Sequence, residues 1–158
     1  MSLKKHSPIH SAFTLIELLI VIAIIALMMA ISIFGLSGAR ENSRDQRRKS
    51  DIESLRTALE LYRADCDRYP ANGEIVAGTQ LEGTLSSGSK CLNSYVYMKE
   101  VPTDPLAGAS YQYNQTGGGS GYDLCSTLER PPAGAVAQSC GSTVCGTGRT
   151  CYYKASNP

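Results

Sequence analysis

Phenylalanine is nearly missing from this chain: only Phe13 and Phe34 occur, so nothing beyond residue 34 offers that side chain to a core. Leucine, isoleucine and valine are also thin beyond Arg68, which excludes a large aliphatic core in the carboxyl-terminal half. Histidine is confined to His6 and His10, ahead of the main apolar run. The downstream region therefore has no histidine for a catalytic triad or a His-ligated metal. No Cys-x-x-Cys pair occurs, which removes the commonest zinc spacing. Net charge is scarce as well. Lys+Arg number 15 against 14 Asp+Glu, a formal +1, and give no global reason to expect nucleic acid or an acidic substrate. The glycine run Gly117-Gly118-Gly119-Ser120-Gly121 lacks the Lys-Ser/Thr of a phosphate-binding loop, so no nucleotide site is expected there.

What is present is unevenly placed. A chain of 158 residues fits one modest domain plus appendages. Leu18 to Leu36, LLIVIAIIALMMAISIFGL, carries no charge and suffices for a membrane helix of about 20 residues. A secretory signal has a shorter apolar core, roughly 7–15 residues, with its small-residue cleavage site behind it. Here the small residue, Ala12, stands in front, so cleavage there leaves the helix on the mature chain. Glu17 is an acid at the edge of this span. It reads either as a carboxylate at the headgroups or as the partner of a cation inside an assembly.

Ser37 to Asp65 has no proline and continues the helix, with Ile52, Leu55, Leu59, Tyr62 and Cys66 forming one apolar stripe at three- and four-residue steps. Asp45 with Lys49 and Arg56 with Glu60 are expected as ion pairs four residues apart. Arg68-Tyr69-Pro70 ends the helix. The basic cluster RENSRDQRRKSD reads as a solvated helix face, with a DNA-binding stripe as the lesser reading. Beyond it, Tyr95-Val96-Tyr97-Met98 is a strand candidate and Pro102-Thr103-Asp104-Pro105 a turn. Tyr111-Gln112-Tyr113 and Tyr122-Asp123-Leu124 form a hairpin across a long, flexible glycine loop. Asn114-Gln115-Thr116 matches a glycosylation sequon in an exposed turn and is taken as a chance match. From Pro131 onward no core element is expected.

Cys66, Cys91, Cys125, Cys140, Cys145 and Cys151 all follow the apolar run. An even set in a weakly cored region reads as disulfides made in an oxidising compartment, in preference to a metal site. Connectivity is open, with Cys66–Cys91 preferred because one closes the helix and the other precedes a strand. The fold class is α+β: a long amino-terminal helix, membrane-spanning then amphipathic, packed on a small antiparallel sheet with a disulfide-stapled carboxyl-terminal region.

Ala12-Phe13-Thr14-Leu15-Ile16-Glu17 ahead of the apolar run resembles the class III signal of type IV pilins and pseudopilins. The resemblance implies that a prepilin peptidase cuts between Ala12 and Phe13 and N-methylates Phe13. It also implies that Glu17 neutralises the terminal amine of a neighbouring subunit during assembly. The family usually has glycine before the cut, where this chain has Ala12, and often a proline in the helix near Gly35 and Gly38. RYP, YMKEVPTDPLAGASYQY and YDL are similar to the head of the major pseudopilin of type II secretion. That head ends in an acidic calcium-binding loop. After Tyr122 this chain has only Asp123 and Glu129 as side-chain carboxylates, whereas calcium takes 6–8 oxygens, so covalent staples are expected in its place. No cofactor or metal is expected.

The divisions implied are a leader, 1–12, an assembly helix, 13–36, its amphipathic continuation, 37–67, and a small head with a cysteine-rich tail, 68–158. Arg40, Arg44, Arg47, Arg48 and Lys49 outnumber Lys4 and Lys5, which by the positive-inside rule reverses the orientation. The cysteines and the leader outweigh that rule, so the head is placed outside the cytoplasm, first on a single-pass subunit and then on a surface or periplasmic filament. The expected function is a non-enzymatic subunit of a type IV pilus-like helical filament of identical copies. Its implied partners are the membrane, a prepilin peptidase, an assembly ATPase and a platform protein. A type II secretion pseudopilin or DNA-uptake pilin is the alternative, ranked lower because the acidic loop is missing. A lone membrane-anchored binding module is the more remote one.

Overall fold

A computed structural model of the chain describes residues 13–85 and 90–157, without the side chains of 32–35. Ala12 and the rest of the expected leader, residues 1–12, and residues 86–89 lie outside the described residues. The chain divides into two compact units, Met1–Ala39 and Arg40–Pro158.

Helix α1 runs Leu15–Cys66. In the first unit Leu15, Ile16, Leu18, Leu19, Ile20 and Val21 are all exposed. A helix apolar on every face must be covered by something outside it, lipid or other helices. No single helix among the described residues is long and apolar enough to cross a membrane. Leu15–Ile31 and Leu36–Cys66 taken together meet the test by length and composition.

In the second unit α1 turns amphipathic. Ile52, Leu55, Leu59 and Tyr62 of the expected stripe are almost wholly buried, and Ala58 joins them. They pack with Tyr69, Leu81, Val101, Tyr122, Leu124 and Ala155. The helix ends just before proline, as expected: Asp67 leaves the helical region at φ 56°, and its amide still donates to the Arg63 carbonyl at 2.9 Å.

Two small antiparallel sheets complete the head. Strand β1, Leu81–Glu82, pairs with β2, Val96–Met98. Strands β3, Gln112–Thr116, β4, Gly121–Thr127, and β5, Cys151–Ser156, form a sheet in the order β3-β4-β5. The central strand β4 is buried at every position but Asp123, as the middle strand of a half-covered sheet requires.

Several expectations change here. The glycine run is a short 3-10 turn, Gly117–Gly119, tight enough for Thr116 to pair with Gly121, so it is not a long flexible loop. Positive φ at all three residues makes glycine the residue that closes it without strain. Asn114 lies inside β3 opposite Asp123, not in an exposed turn. The tail, expected to lack a core element, supplies β5.

Candidate functional site

Phe13, the first of the described residues, is 84% exposed. The carboxylate of Glu17 is bound by its own chain. The Thr14 amide donates to it at 2.9 Å and the Thr14 hydroxyl at 2.8 Å, while the Glu17 amide donates back to the Thr14 hydroxyl at 3.3 Å. This is a reciprocal capping box, which satisfies two amides that the first turn leaves without helical partners. Thr14 was missed as a functional partner. The signal was present, since Thr-x-x-Glu before an apolar run is the capping-box pattern.

At the start of the second unit a charge network joins α1 to two loops. Arg48 is completely buried and grips Asp104 with two bonds, at 2.8 and 2.9 Å. It also donates to Asp45 at 2.7 Å and to Glu129 at 2.9 Å. Arg44 holds Glu129 with a second fork, at 2.7 and 2.6 Å. Asp45 accepts the backbone amides of Glu129 and Arg130, both at 2.9 Å. The bonds from Arg44 outweigh the opposing effect of burial, and with Arg48 they hold the Glu129 carboxyl down to about 2. Burial pulls the Arg48 value down, but its bonds to Asp104 and Glu129 carry it above its ordinary value.

The reading of this basic cluster as a solvated face holds at Arg40, Gln46 and Arg47, which are exposed, and is corrected at Arg44 and Arg48. Arg44 and Arg48 are turned to internal carboxylates, which also takes them out of any stripe that could meet phosphates. Asp45 pairs with Arg48 rather than Lys49. Arg56 reaches Glu53 rather than Glu60.

Further along α1, carboxylates receive tyrosine hydroxyls from the head. Tyr111 donates to Asp51 at 2.6 Å and Tyr153 to Glu53 at 3.3 Å. Glu60 accepts Tyr69 at 3.0 Å and Tyr122 at 3.2 Å, and Asp65 accepts Tyr97 at 3.2 Å. Burial raises the Tyr97 and Tyr122 hydroxyls to about 12, and the neighbouring carboxylates push the same way.

The cysteines form three bonds: Cys66–Cys91, the preferred pair, Cys125–Cys140 and Cys145–Cys151. The last four residues make a cluster of their own, separate from the aliphatic and tyrosine core. Gly146, at φ 103°, lies so close to Gly108 and Ala109 that any side chain there would strike their backbone. That approach seats the Cys145–Cys151 loop on the head.

An apolar helix tipped by a capped glutamate, running into a small disulfide-bonded α+β head, defines a pilin-type subunit. The model for the Prokaryotic N-terminal methylation motif matches residues 9–35, and that for Type II secretion system (T2SS), protein G matches 36–138. Relatives described as type II secretion system core protein G include that of Escherichia coli K12, 32% identical over 72% of this chain and 78% of its own. That of Aeromonas hydrophila is 31% identical over 65% and 71%, and that of Pseudomonas aeruginosa 29% over 74% and 82%. No solved structure gives a significant match. The chain belongs to the type II secretion system protein G family.

The ranking of a pilus above secretion is thereby corrected. It weighed one missing acidic loop against the whole framework, whereas the match covers α1 from Leu36 through β4 and stops at residue 138, within the tail. Tail chemistry can change while the helix and sheet beneath it stay the same.

Proposed function

We propose that the chain is a non-catalytic subunit of a type II secretion filament, polymerised through its amino-terminal helix. The observation that carries this is the capped Glu17 at the tip of a helix exposed and apolar on every face. Cleavage between Ala12 and Phe13 would free an amine four residues from Glu17, and N-methylation leaves it a cation. In the membrane, Glu17 is held by Thr14 of its own chain. On assembly it exchanges that neutral partner for the Phe13 amine of a neighbouring subunit, and the apolar stems cover one another. A prepilin peptidase, an assembly ATPase and a platform protein are the partners this reading requires. The head lies outside the cytoplasm, where its disulfides form.

Two measurements test the proposal. Terminal sequencing and intact mass of native protein should give a chain that begins at N-methylated Phe13; retention of residues 1–12 would remove the reading. Glu17→Gln should leave insertion and head folding intact but sharply reduce sheared-filament yield, because an unpaired buried cation costs about 3–5 kcal/mol. A normal yield from the mutant would refute the pairing role, and absence of filament from the native chain with its assembly machinery present would favour a lone anchored subunit.

A further inference from the structure

The three disulfides join the six cysteines strictly in sequence order, with separations of 25, 15 and 6 residues. Six cysteines admit 15 pairings, and only one of them is consecutive throughout. Burial in one cluster does not by itself select it. Cys125, Cys140, Cys145 and Cys151 all share one cluster, and each is at most 3% exposed. Loop closure does not select it either. Lengthening the Cys125 loop by a third, so that it ended at Cys145, would lower the closure probability only about 1.5-fold. The shortest loop available among these four joins Cys140 to Cys145, and the structure does not use it. Order of appearance does select it. When Cys140 emerges from the membrane, Cys125 is already waiting and Cys145 is not yet out.

We propose that the head is the substrate of an extracytoplasmic dithiol–disulfide oxidase that joins its cysteines as they emerge, and that its native pairing needs no disulfide isomerase. The inference rests on the reading that places the head outside the cytoplasm. In each round a cysteine thiolate of the chain attacks the oxidase disulfide, forming a mixed disulfide and releasing one oxidase thiolate. The next cysteine to emerge attacks the chain sulfur of that mixed disulfide, which releases the oxidase. Two thiols become one disulfide, and their two electrons and two protons end on the oxidase, whose disulfide becomes a dithiol. The oxidase acts before the tail docks, because the four sulfurs of the cluster are then shut away from any protein catalyst.

The test expresses the full chain in a bacterium carrying its assembly machinery, in three backgrounds: intact, without the extracytoplasmic thiol oxidase, and without the isomerase. Newly made chains are pulse-labelled, acid-quenched, alkylated and mapped without reduction. All three native bonds should form without the isomerase at within 1.5-fold of the intact level, and at least five-fold less without the oxidase. Peptides joining Cys140 to Cys145 or Cys125 to Cys145 in isomerase-free cells would overturn the proposal. So would full native bonding in oxidase-free cells. Cys140→Ser should make Cys125 capture Cys145, the next cysteine out, and leave Cys151 free; a retained Cys145–Cys151 bond with Cys125 free refutes ordered capture. A membrane-impermeant maleimide applied to oxidase-free cells with a permeabilised outer membrane keeps the two readings apart. Labelled thiols show an exported head, and unlabelled ones mean that its location, not the pairing order, was misjudged.

Discussion

The core beneath the head sheet and the cysteine cluster beside it solve the same problem by different means. In the first, Ile52, Leu55, Leu59 and Tyr62 of α1 bury against Tyr122, Leu124 and Ala155, and area removed from water provides the cohesion. In the second, four cysteines stand where side chains of that size are missing, and crosslinks provide it. A region with few large apolar residues can be ordered, but only in a compartment that keeps its thiols oxidised. The order of the second region therefore depends wholly on that compartment, whereas the first adds one crosslink, Cys66–Cys91, to an apolar core.

Arg48→Met strikes where the two regions join, since Arg48 binds both the core-side Asp104 and the tail-side Glu129. It leaves a fully buried Asp104 carboxylate without its guanidinium, and chemical denaturation should show a loss of about 3–5 kcal/mol. An unchanged midpoint would mean that the network is not what couples them. Paired Cys125→Ser and Cys140→Ser should cost about 3 kcal/mol, and paired Cys145→Ser and Cys151→Ser about 2, following the lengths of the loops they close. Hydrogen exchange should place both losses mainly beyond Leu128, with α1 amides still protected; uniform deprotection would erase the distinction between the regions.

Acid tests the same junction more gently. The folded-state value of Glu129 lies below its unfolded value near 4.3, so its contribution is full above that pH and is lost as pH falls through about 2. Between pH 5 and pH 2, Glu129→Gln should lose roughly 2–3 kcal/mol less than the native chain. Ser126→Ala sharpens the comparison from the core side. The Ser126 hydroxyl is fully buried with no hydrogen-bond partner among the described residues, so its removal should gain about 1 kcal/mol. A loss there would show that the hydroxyl has a partner, such as an ordered water.

The helix and its buried stripe were legible because a repeat of three and four residues is written in one continuous segment. The β3–β4 hairpin was legible because aromatic alternation flanks a glycine run. Strand β5 was not, because its residues Cys-Tyr-Tyr-Lys-Ala-Ser follow a stretch rich in glycine and threonine, and its order comes from pairing with β4 and the bond at Cys151. The ion pairs were misassigned for a related reason. Spacing along a helix names neighbours on its surface, but Asp104 and Glu129 arrive from distant segments and outcompete them. Of the proposed assembly site, Phe13 and Glu17 stand in the leader motif. The bond from Thr14 was legible in principle, since both partners lie within one turn.

The hydroxyls on Asp51, Glu53, Glu60 and Asp65 also have a mechanical meaning. They form a seam along α1, with partners drawn from both sheets and from the segment after the helix. A pull along the helix axis loads these bonds together, whereas lifting one edge of the head loads them one at a time. Bonds loaded together share the force. The head is thus built to resist sliding along the helix it covers better than peeling from it.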